Sequence, residues 1–269
     1  MNNALIIGPL AIPYALLLVF AVAASSLAVG TRSAGKAGMA IEPELWKTWM
    51  VGLLVARLAF VWEFRSAYML SPLGMLDIRD GGWNATAGFI GAWLYALSLY
   101  GRRPALRKPV QAAMLTGSLV WLAGSIALSL QPGPGQPMPE LGFRSTQGET
   151  VQLAAFKGQP TVVNLWATWC PPCVREMPVL QKAQADLPGV NFVFVNQGES
   201  PDKVHQWLQA RDLNLRNMLL DEARVAGAAF KQSALPMTLF FDADGRLVST
   251  RIGELSPATL AERLDQARR

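Results

Sequence analysis

The sequence predicts an all-α membrane domain of four transmembrane helices over residues 1–130, a linker at 131–139, and an α/β domain over 140–269. Three observations carry this reading. Residues 1–130 are poor in charge and rich in Leu, Ala, Val, Gly and Trp, and they hold four apolar runs long enough to cross a bilayer. Beyond the linker, short apolar strands alternate with helical patterns in the order βαβ, βα, ββα. The chain's only two cysteines, Cys170 and Cys173, stand where one of those strands runs into a helix. The net charge of +5 falls partly in short loops between the apolar runs, with no basic and aromatic interleaving of the kind that grips nucleic acid.

The first apolar run, Ala4 to Val29, contains no charged residue and is long enough to span the hydrocarbon core even with Pro9 and Pro13 inside it. No Lys or Arg precedes it and more apolar segments follow, which favours a retained helix over a cleaved leader. Leu45 to Trp62, Trp83 to Tyr100 and Val110 to Leu130 complete the four spans. Arg32 and Lys36 follow the first run, and Arg102, Arg103, Arg107 and Lys108 follow the third. The loop between the second and third mixes Arg65 and Arg79 with Glu63, Asp77 and Asp80. By the positive-inside rule the first and third loops are cytoplasmic. An even number of spans then puts both termini and the cysteine domain on the outer, periplasmic side, where a dithiol has redox work to do. The linker, Gln131 to Pro139, is stiffened by proline and short, so the domain beyond it stays near the membrane surface.

Within the α/β domain, Gly142 to Leu153 reads as a hairpin turning at Gln147 and Gly148. Strand Thr161 to Trp166 leads into the cysteine-bearing helix, Pro172 to Ala185, followed by strand Asn191 to Val195 and helix Pro201 to Arg211. Met218 to Leu220 is a short strand and Asp221 to Lys231 a helix. Strands Met237 to Phe241 and Arg246 to Arg251 flank the turn Asp242-Ala-Asp-Gly245. The last helix runs from Pro257 to Gln266, with Ser256 as its N-cap.

A cysteine at a helix start has its thiolate stabilised by unpaired backbone N–H groups and by the positive end of the helix dipole. Its partner three residues on lies one turn away, within reach of a mixed disulfide formed on the first. Pro171 and Pro172 suit the first helical turn, and Pro178 is expected to kink the helix further on. Zinc would need four ligands, and the chain adds only His205 to the two thiols. A static disulfide closing so small a loop would constrain the unfolded chain little. The redox-active reading stands ahead of both, with Cys170, reachable at the turn, as nucleophile and Cys173 as resolving thiol, and with no cofactor beyond the pair.

The segment Trp166-Ala-Thr-Trp-Cys-Pro-Pro-Cys-Val-Arg-Glu-Met-Pro178 resembles the active-site segment of the TlpA/ResA-like branch of the thioredoxin superfamily. Ala234-Leu-Pro-Met-Thr238 is similar to that family's cis-proline loop, and the resemblance covers roughly residues 138 to 269. It implies a thioredoxin fold carrying an inserted βα segment, and a thiol:disulfide oxidoreductase, usually a reductant tethered outside the bacterial cytoplasm. It also implies that Glu176, on the same helix as Cys173, helps move protons during exchange. Pro236 would set a backbone across from Cys170, and Trp169, Pro171, Pro172 and Leu235 would form the surface on which clients dock. A solvated glutamate and a locally packed tryptophan are the alternatives at Glu176 and Trp169, and Trp166 reads as core. Strongly oxidising members of the superfamily carry a histidine between the cysteines, whereas Pro171 and Pro172 add neither charge nor donor, which favours a reductant. The expected partners are periplasmic disulfide-bearing proteins, such as apocytochrome c or another disulfide enzyme. Residues 1–130 hold no cysteine to relay electrons, so a separate membrane reductase of the DsbD or CcdA type is the expected donor.

The membrane half carries a second resemblance. Ile7-Gly8-Pro9-Leu10-Ala-Ile-Pro-Tyr14, Val55-Ala-Arg-Leu58 and Gly81-Gly-Trp-Asn-Ala-Thr-Ala-Gly88 are similar to the first third of prolipoprotein diacylglyceryl transferases. The family's histidine falls on Thr86 and its later arginine-bearing signature has no counterpart, so the resemblance implies a repurposed scaffold, or a groove for membrane lipid or a partner. Arg57 is the candidate polar site there, because a guanidinium within a span faces a partner or a polar cavity. Glu63, Asp77 and Asp80 are the structural candidates, and a lipid headgroup is the functional one. Two further classes stay open for the whole chain: a thiol peroxidase using Cys170, and a membrane scaffold whose function would survive Cys170→Ser.

Overall fold

The computed structural model describes residues 4–7, 10–35, 40–69, 72–130, 135–230 and 234–268. Gly8, Pro9, Lys36, residues 131–134 of the expected linker and Lys231 lie outside them. The chain opens with a hairpin in place of the expected helix from Ala4: β1 (Ala4–Ile7) pairs antiparallel with β2 (Leu10–Pro13), and α1 begins at Tyr14 and ends at Gly35. Pro13 accounts for the late start, since its ring disfavours helical backbone at the residue before it. Then follow α2 (Glu42–Glu63), the single turn α3 (Arg65–Tyr68), two 3-10 turns between Pro72 and Asp80, α4 (Ala85–Arg102) and α5 (Arg107–Ser129).

Among the described residues, three helices are long and apolar enough to cross a membrane: α1, α2 and the stretch Pro104–Ser129 that contains α5. α4, expected as the third of four spans, is a helix of 18 residues but falls outside this group. Trp93, Tyr95, Ser98 and Arg102 dilute its apolar character. α1 packs on α5 and α2 on α4. The second contact depends on small residues, because a Cβ at Gly88 would lie 2.8 Å from the Ala56 Cβ and 2.9 Å from the Gly52 carbonyl oxygen. Leu54, Leu58, Leu94, Leu119 and Leu122 are exposed on the outside of the bundle.

The second half is an α/β domain: β3 (Gly142–Ser145), β4 (Thr150–Gln152), β5 (Thr161–Trp166), α6 (Pro171–Asp186), β6 (Asn191–Gln197), α7 (Pro201–Gln209), β7 (Met218–Asp221), α8 (Val225–Ala229), β8 (Met237–Phe241), β9 (Leu247–Ile252) and α9 (Pro257–Ala267). One sheet runs in the order β4-β3-β7-β6-β5-β8-β9, with β5, β6 and β7 parallel and β8 antiparallel to β5. All residues of β5 are buried, as the continuous apolar run leading to the cysteines requires of a central strand covered on both faces. One face packs Trp166, Phe192, Phe194 and Phe240 against Met177 of α6 and Leu260 of α9. The other packs Val163, Leu165, Val193 and Leu239 under Phe143 and Leu153.

Several expected boundaries in this half shift by one or two residues, and two shift further. The helix read from Asp221 begins only at Val225, because Asp221 ends β7 and its carboxylate accepts from the N–H groups of Val225 and Ala226, each at 2.8 Å. Residues 135–138, read as the end of the linker, lie against the start of β9: the Met138 N–H donates to the Gly245 carbonyl and the Leu247 N–H to that of Gln136, both at 2.7 Å. α6 continues through Pro178 to Asp186, forgoing the one N–H that proline lacks. The halves meet where Ala258 of α9 is buried with Phe60 of α2 and Tyr68 of α3.

The α2–α4 packing gives a direct test. Gly88→Leu should destabilise the protein by about 1–3 kcal/mol through overpacking, read as a lower thermal midpoint in detergent. Gly101→Ala, where a Cβ would meet nothing within 4 Å, should leave the midpoint in place. Equal midpoints for the two variants would refute the close approach of these helices.

Candidate active site

β5 ends at Trp166, and the chain turns through Ala167, Thr168 and Trp169 before α6 begins at Pro171. Cys170 is the N-cap of α6, and its Sγ accepts the Cys173 backbone N–H at 3.3 Å. In the reduced protein that same N–H and the helix dipole favour the thiolate. Here the two cysteines are joined in a disulfide with their Cα atoms 5.3 Å apart. The expectation that Cys170 is open to solvent is corrected: it is 3% exposed and Cys173 is 0% exposed. Both lie in the core cluster with Trp166, Ala167 and Met177, against which Leu235 also packs. The exposed surface beside the pair is Trp169, at 56%, together with Pro171. Trp166 is core, as read, with its ring 5.0 Å from that of Trp207.

Glu176, far from being solvated, is fully buried one helical turn beyond Cys173. Its Oε1 accepts from Asn164 Nδ2 of β5 at 2.8 Å and its Oε2 from the Leu255 N–H at 2.9 Å. Burial dominates over these two bonds and raises the carboxyl from the ordinary 4.5 to about 8. Asn164 Nδ2 also donates to Thr238 Oγ1 of β8 at 3.0 Å. The Leu235–Pro236 peptide is cis, and the Pro236 carbonyl accepts the Gly253 N–H at 2.9 Å, so β8, β5 and the β9–α9 loop converge on the helix that carries the dithiol.

A second buried carboxylate was not anticipated. Glu199, just past β6, accepts the Thr168 N–H at 2.7 Å, the Thr168 hydroxyl at 2.6 Å and Asn196 Nδ2 at 2.9 Å, and pairs with Lys203 Nζ at 2.7 Å. Burial pushes its carboxyl up, but the hydrogen bonds from Lys203, Thr168 and Asn196 outweigh burial and hold it below the ordinary value. It anchors the loop two residues before Cys170. Asn164 had a signal in the sequence, as the lone amide in an apolar strand. Glu199 had none, since Thr168 stands 31 residues away.

Arg57 is buried apart from the dithiol. Of the three acids proposed for it, Asp80 is its partner, with Nη1–Oδ1 at 2.9 Å and Nη2–Oδ2 at 3.3 Å. Asp77 offers its backbone carbonyl at 3.0 Å, and Glu63 instead accepts from Asn84. Further N–H groups of Arg57 go to the carbonyls of Gly74, Met75 and Gly82. Among the described residues no cluster of His, Cys, Asp and Glu could hold a metal ion.

The raised Glu176 carboxyl makes a pH prediction. Below about pH 4.5 the folded and unfolded chains both hold this proton, while between about 4.5 and 8 only the folded chain does. Its contribution is therefore present at low pH and lost as pH rises to 8, at up to about 1.4 kcal/mol per pH unit. Denaturant unfolding should show that decline, and Glu176→Gln should flatten it. An unchanged slope in the variant would contradict the burial of this proton.

Residues 133–265 match the family model described as Redoxin. Thiol-disulfide oxidoreductase ResA of Bacillus subtilis is 30% identical over 128 residues, covering 47% of this chain and 71% of that protein. Thiol:disulfide interchange protein DsbE of Vibrio cholerae is 28% identical over 132 residues, covering 48% and 71%. The solved structure of StoA from Bacillus subtilis aligns over 47% of this chain and 99% of its own, at 24% identity and a TM-score of 0.41. These matches give no support to the resemblance of residues 1–130 to diacylglyceryl transferases. With a disulfide at the N-terminus of α6 and a Redoxin domain around it, the chain belongs to the ResA-type family of thiol-disulfide oxidoreductases, enzymes whose redox centre is a cysteine pair.

Proposed function

We propose that this protein is a membrane-anchored disulfide reductase, its redox domain on the periplasmic side, acting on disulfide-bearing clients such as an apocytochrome c or another disulfide enzyme. The observation that carries the reading is the capping of α6 by Cys170 with the Glu176 carboxyl buried one helical turn beyond Cys173. In the reduced protein the Cys170 thiolate attacks one sulfur of the client disulfide, and the other client sulfur leaves as a thiolate that takes up a proton. Cys173 then gives its proton to the ionised form of Glu176 and attacks the Cys170 Sγ. The bond to the client breaks, its second sulfur leaves as a thiolate, and the Cys170–Cys173 disulfide remains, two electrons having moved to the client. Burial raises the Glu176 carboxyl to about 8, which makes its ionised form a stronger base toward a thiol proton than an ordinary glutamate. Trp169, Pro171, Pro172 and Leu235 form the docking surface in this reading, and the backbone at Pro236 meets the client beside Cys170.

The absence of a histidine or charge between the cysteines supports reduction over oxidation. Three apolar helices support anchoring. The Arg103–Glu44 pair, at 3.3 Å, draws the α4–α5 turn to the start of α2, so that basic residues gather at one end of the bundle. The redox domain meets the opposite end, at Tyr68 and Asp80, which supports α4 as a fourth crossing segment and an outer location for the dithiol. Residues 1–130 contain no cysteine, which supports recharging by a separate membrane reductase of the DsbD or CcdA type and a scaffold role for this half.

The test is capture. Cys173→Ala should accumulate client proteins in mixed disulfides through Cys170, visible as reducible adducts on gels, and Cys170→Ser combined with Cys173→Ala should accumulate none. Cellular function that survives Cys170→Ser would overturn the reading in favour of a scaffold.

A further inference from the structure

We infer that Asp80, in the segment joining α2 to α4, is a positioning residue for the redox reaction, because it ties the membrane half to the loop whose Leu255 amide holds Glu176. The inference rests on the role for Glu176 proposed above. Asp80 is 5% exposed, and its own half holds its carboxylate: Oδ1 accepts from Arg57 Nη1 at 2.9 Å and from the Gly82 N–H at 3.0 Å, and Oδ2 accepts from the Tyr68 hydroxyl at 2.8 Å and from Arg57 Nη2 at 3.3 Å. Two further bonds cross to the redox half. The Ser256 hydroxyl donates to Oδ2 at 3.2 Å, and Arg251 Nη2 donates to the Asp80 carbonyl at 2.7 Å.

These two donors bracket the turn between β9 and α9. Leu255, the neighbour of Ser256, gives its N–H to Glu176, so adjacent residues of one loop are fastened to the membrane half and to the buried carboxyl. Gly81, with φ of 66°, lets the guanidinium of Arg251 lie against the backbone, where a Cβ would come 2.5 Å from Nη1. Among the described residues, the charged groups that act on Glu176 are Glu254 and Arg251. Glu254 in the loop opposes its ionisation and Arg251 of β9 favours it, while Arg175 on its own helix is paired with Glu254 at 2.6 Å. Asn164 of β5 supplies the other hydrogen bond. Releasing the loop from Asp80 therefore opens the one wall of the Glu176 site that depends on the membrane half. Water entering there weakens burial, the largest influence on this carboxyl, and lowers the pH at which it titrates.

The experiment uses the full chain in detergent micelles and follows the rate at which the dithiol form reduces glutathione disulfide, across pH. The wild type should show a midpoint near 8 that Glu176→Gln abolishes. Asp80→Asn and Ser256→Ala should keep a midpoint but move it down by about one pH unit. Ser256→Ala leaves the Arg57–Asp80 pair intact and decides the matter if Asp80→Asn does not fold. Ser256→Thr, which keeps the hydroxyl, should match the wild type. Ser256→Asp keeps the N-cap of α9 but sets a second carboxylate against Asp80, so it should shift the midpoint as Ser256→Ala does. A Glu176-dependent midpoint that stays fixed in Ser256→Ala and Ser256→Asp overturns this inference alone. A shift in Ser256→Ala without one in Ser256→Asp assigns the effect to the helix cap and overturns it too. A wild-type profile without any Glu176-dependent midpoint overturns the role of Glu176, and the inference with it.

Discussion

The carboxyl of Glu176 has no exposed surface and, among the described residues, one donor for each oxygen, from Asn164 and from Leu255. A neutral carboxylic acid tolerates that environment, and an ionised one does not without more donors or a paired cation. The proton is therefore held by the fold, and the fold around it is correspondingly fixed. Asn164 reaches from β5 to Thr238 on β8, and the Pro236 carbonyl reaches to Gly253 at the end of β9. The elements that border the cysteine pair are thus set by one small polar network inside an apolar core. Such networks specify a unique arrangement when satisfied, so the helix that carries the dithiol is held in one position.

Arg57 imposes a comparable constraint on the other half. Its guanidinium sits in a helix that is long and apolar enough to span a membrane, and it is satisfied by the carbonyls of Gly74, Met75, Asp77 and Gly82 and by Asp80. The segment between α2 and α4 folds around this one side chain. A buried ion pair is weak evidence for stability, since desolvation offsets much of its attraction, but it fixes geometry closely. What it fixes here is the platform on which the β9–α9 loop rests, so the two polar networks are joined through Asp80 and Ser256.

Much of the redox half was legible because turn chemistry bounded its elements. β5 and β8 fall where their apolar runs begin and end, and Ser256 caps α9 with a capping box to Thr259. The opening hairpin was missed because the charge-free run from Ala4 reads as one span, although Pro13 inside it disfavours helical backbone before Tyr14. Asp221 looked like the acidic start of a helix and does cap one, but from the end of a strand four residues earlier. Cys170 could be placed at the helix start from spacing alone, whereas its burial depends on Leu235 and the core cluster, which are distant in sequence. The choice of Asp80 over Glu63 and Asp77 for Arg57 likewise rests on how a 23-residue separation closes in space, which no local pattern encodes.

Whether this pair gives electrons, as proposed, or takes them is read from its equilibrium reduction potential. The full chain would be titrated against a buffered thiol–disulfide couple and the thiols trapped by alkylation. With two prolines and no cationic or donor side chain between the cysteines, the expected value lies close to that of thioredoxin, about −270 mV. A value above roughly −150 mV, toward that of DsbA, would make the protein an oxidant and overturn the proposed reduction.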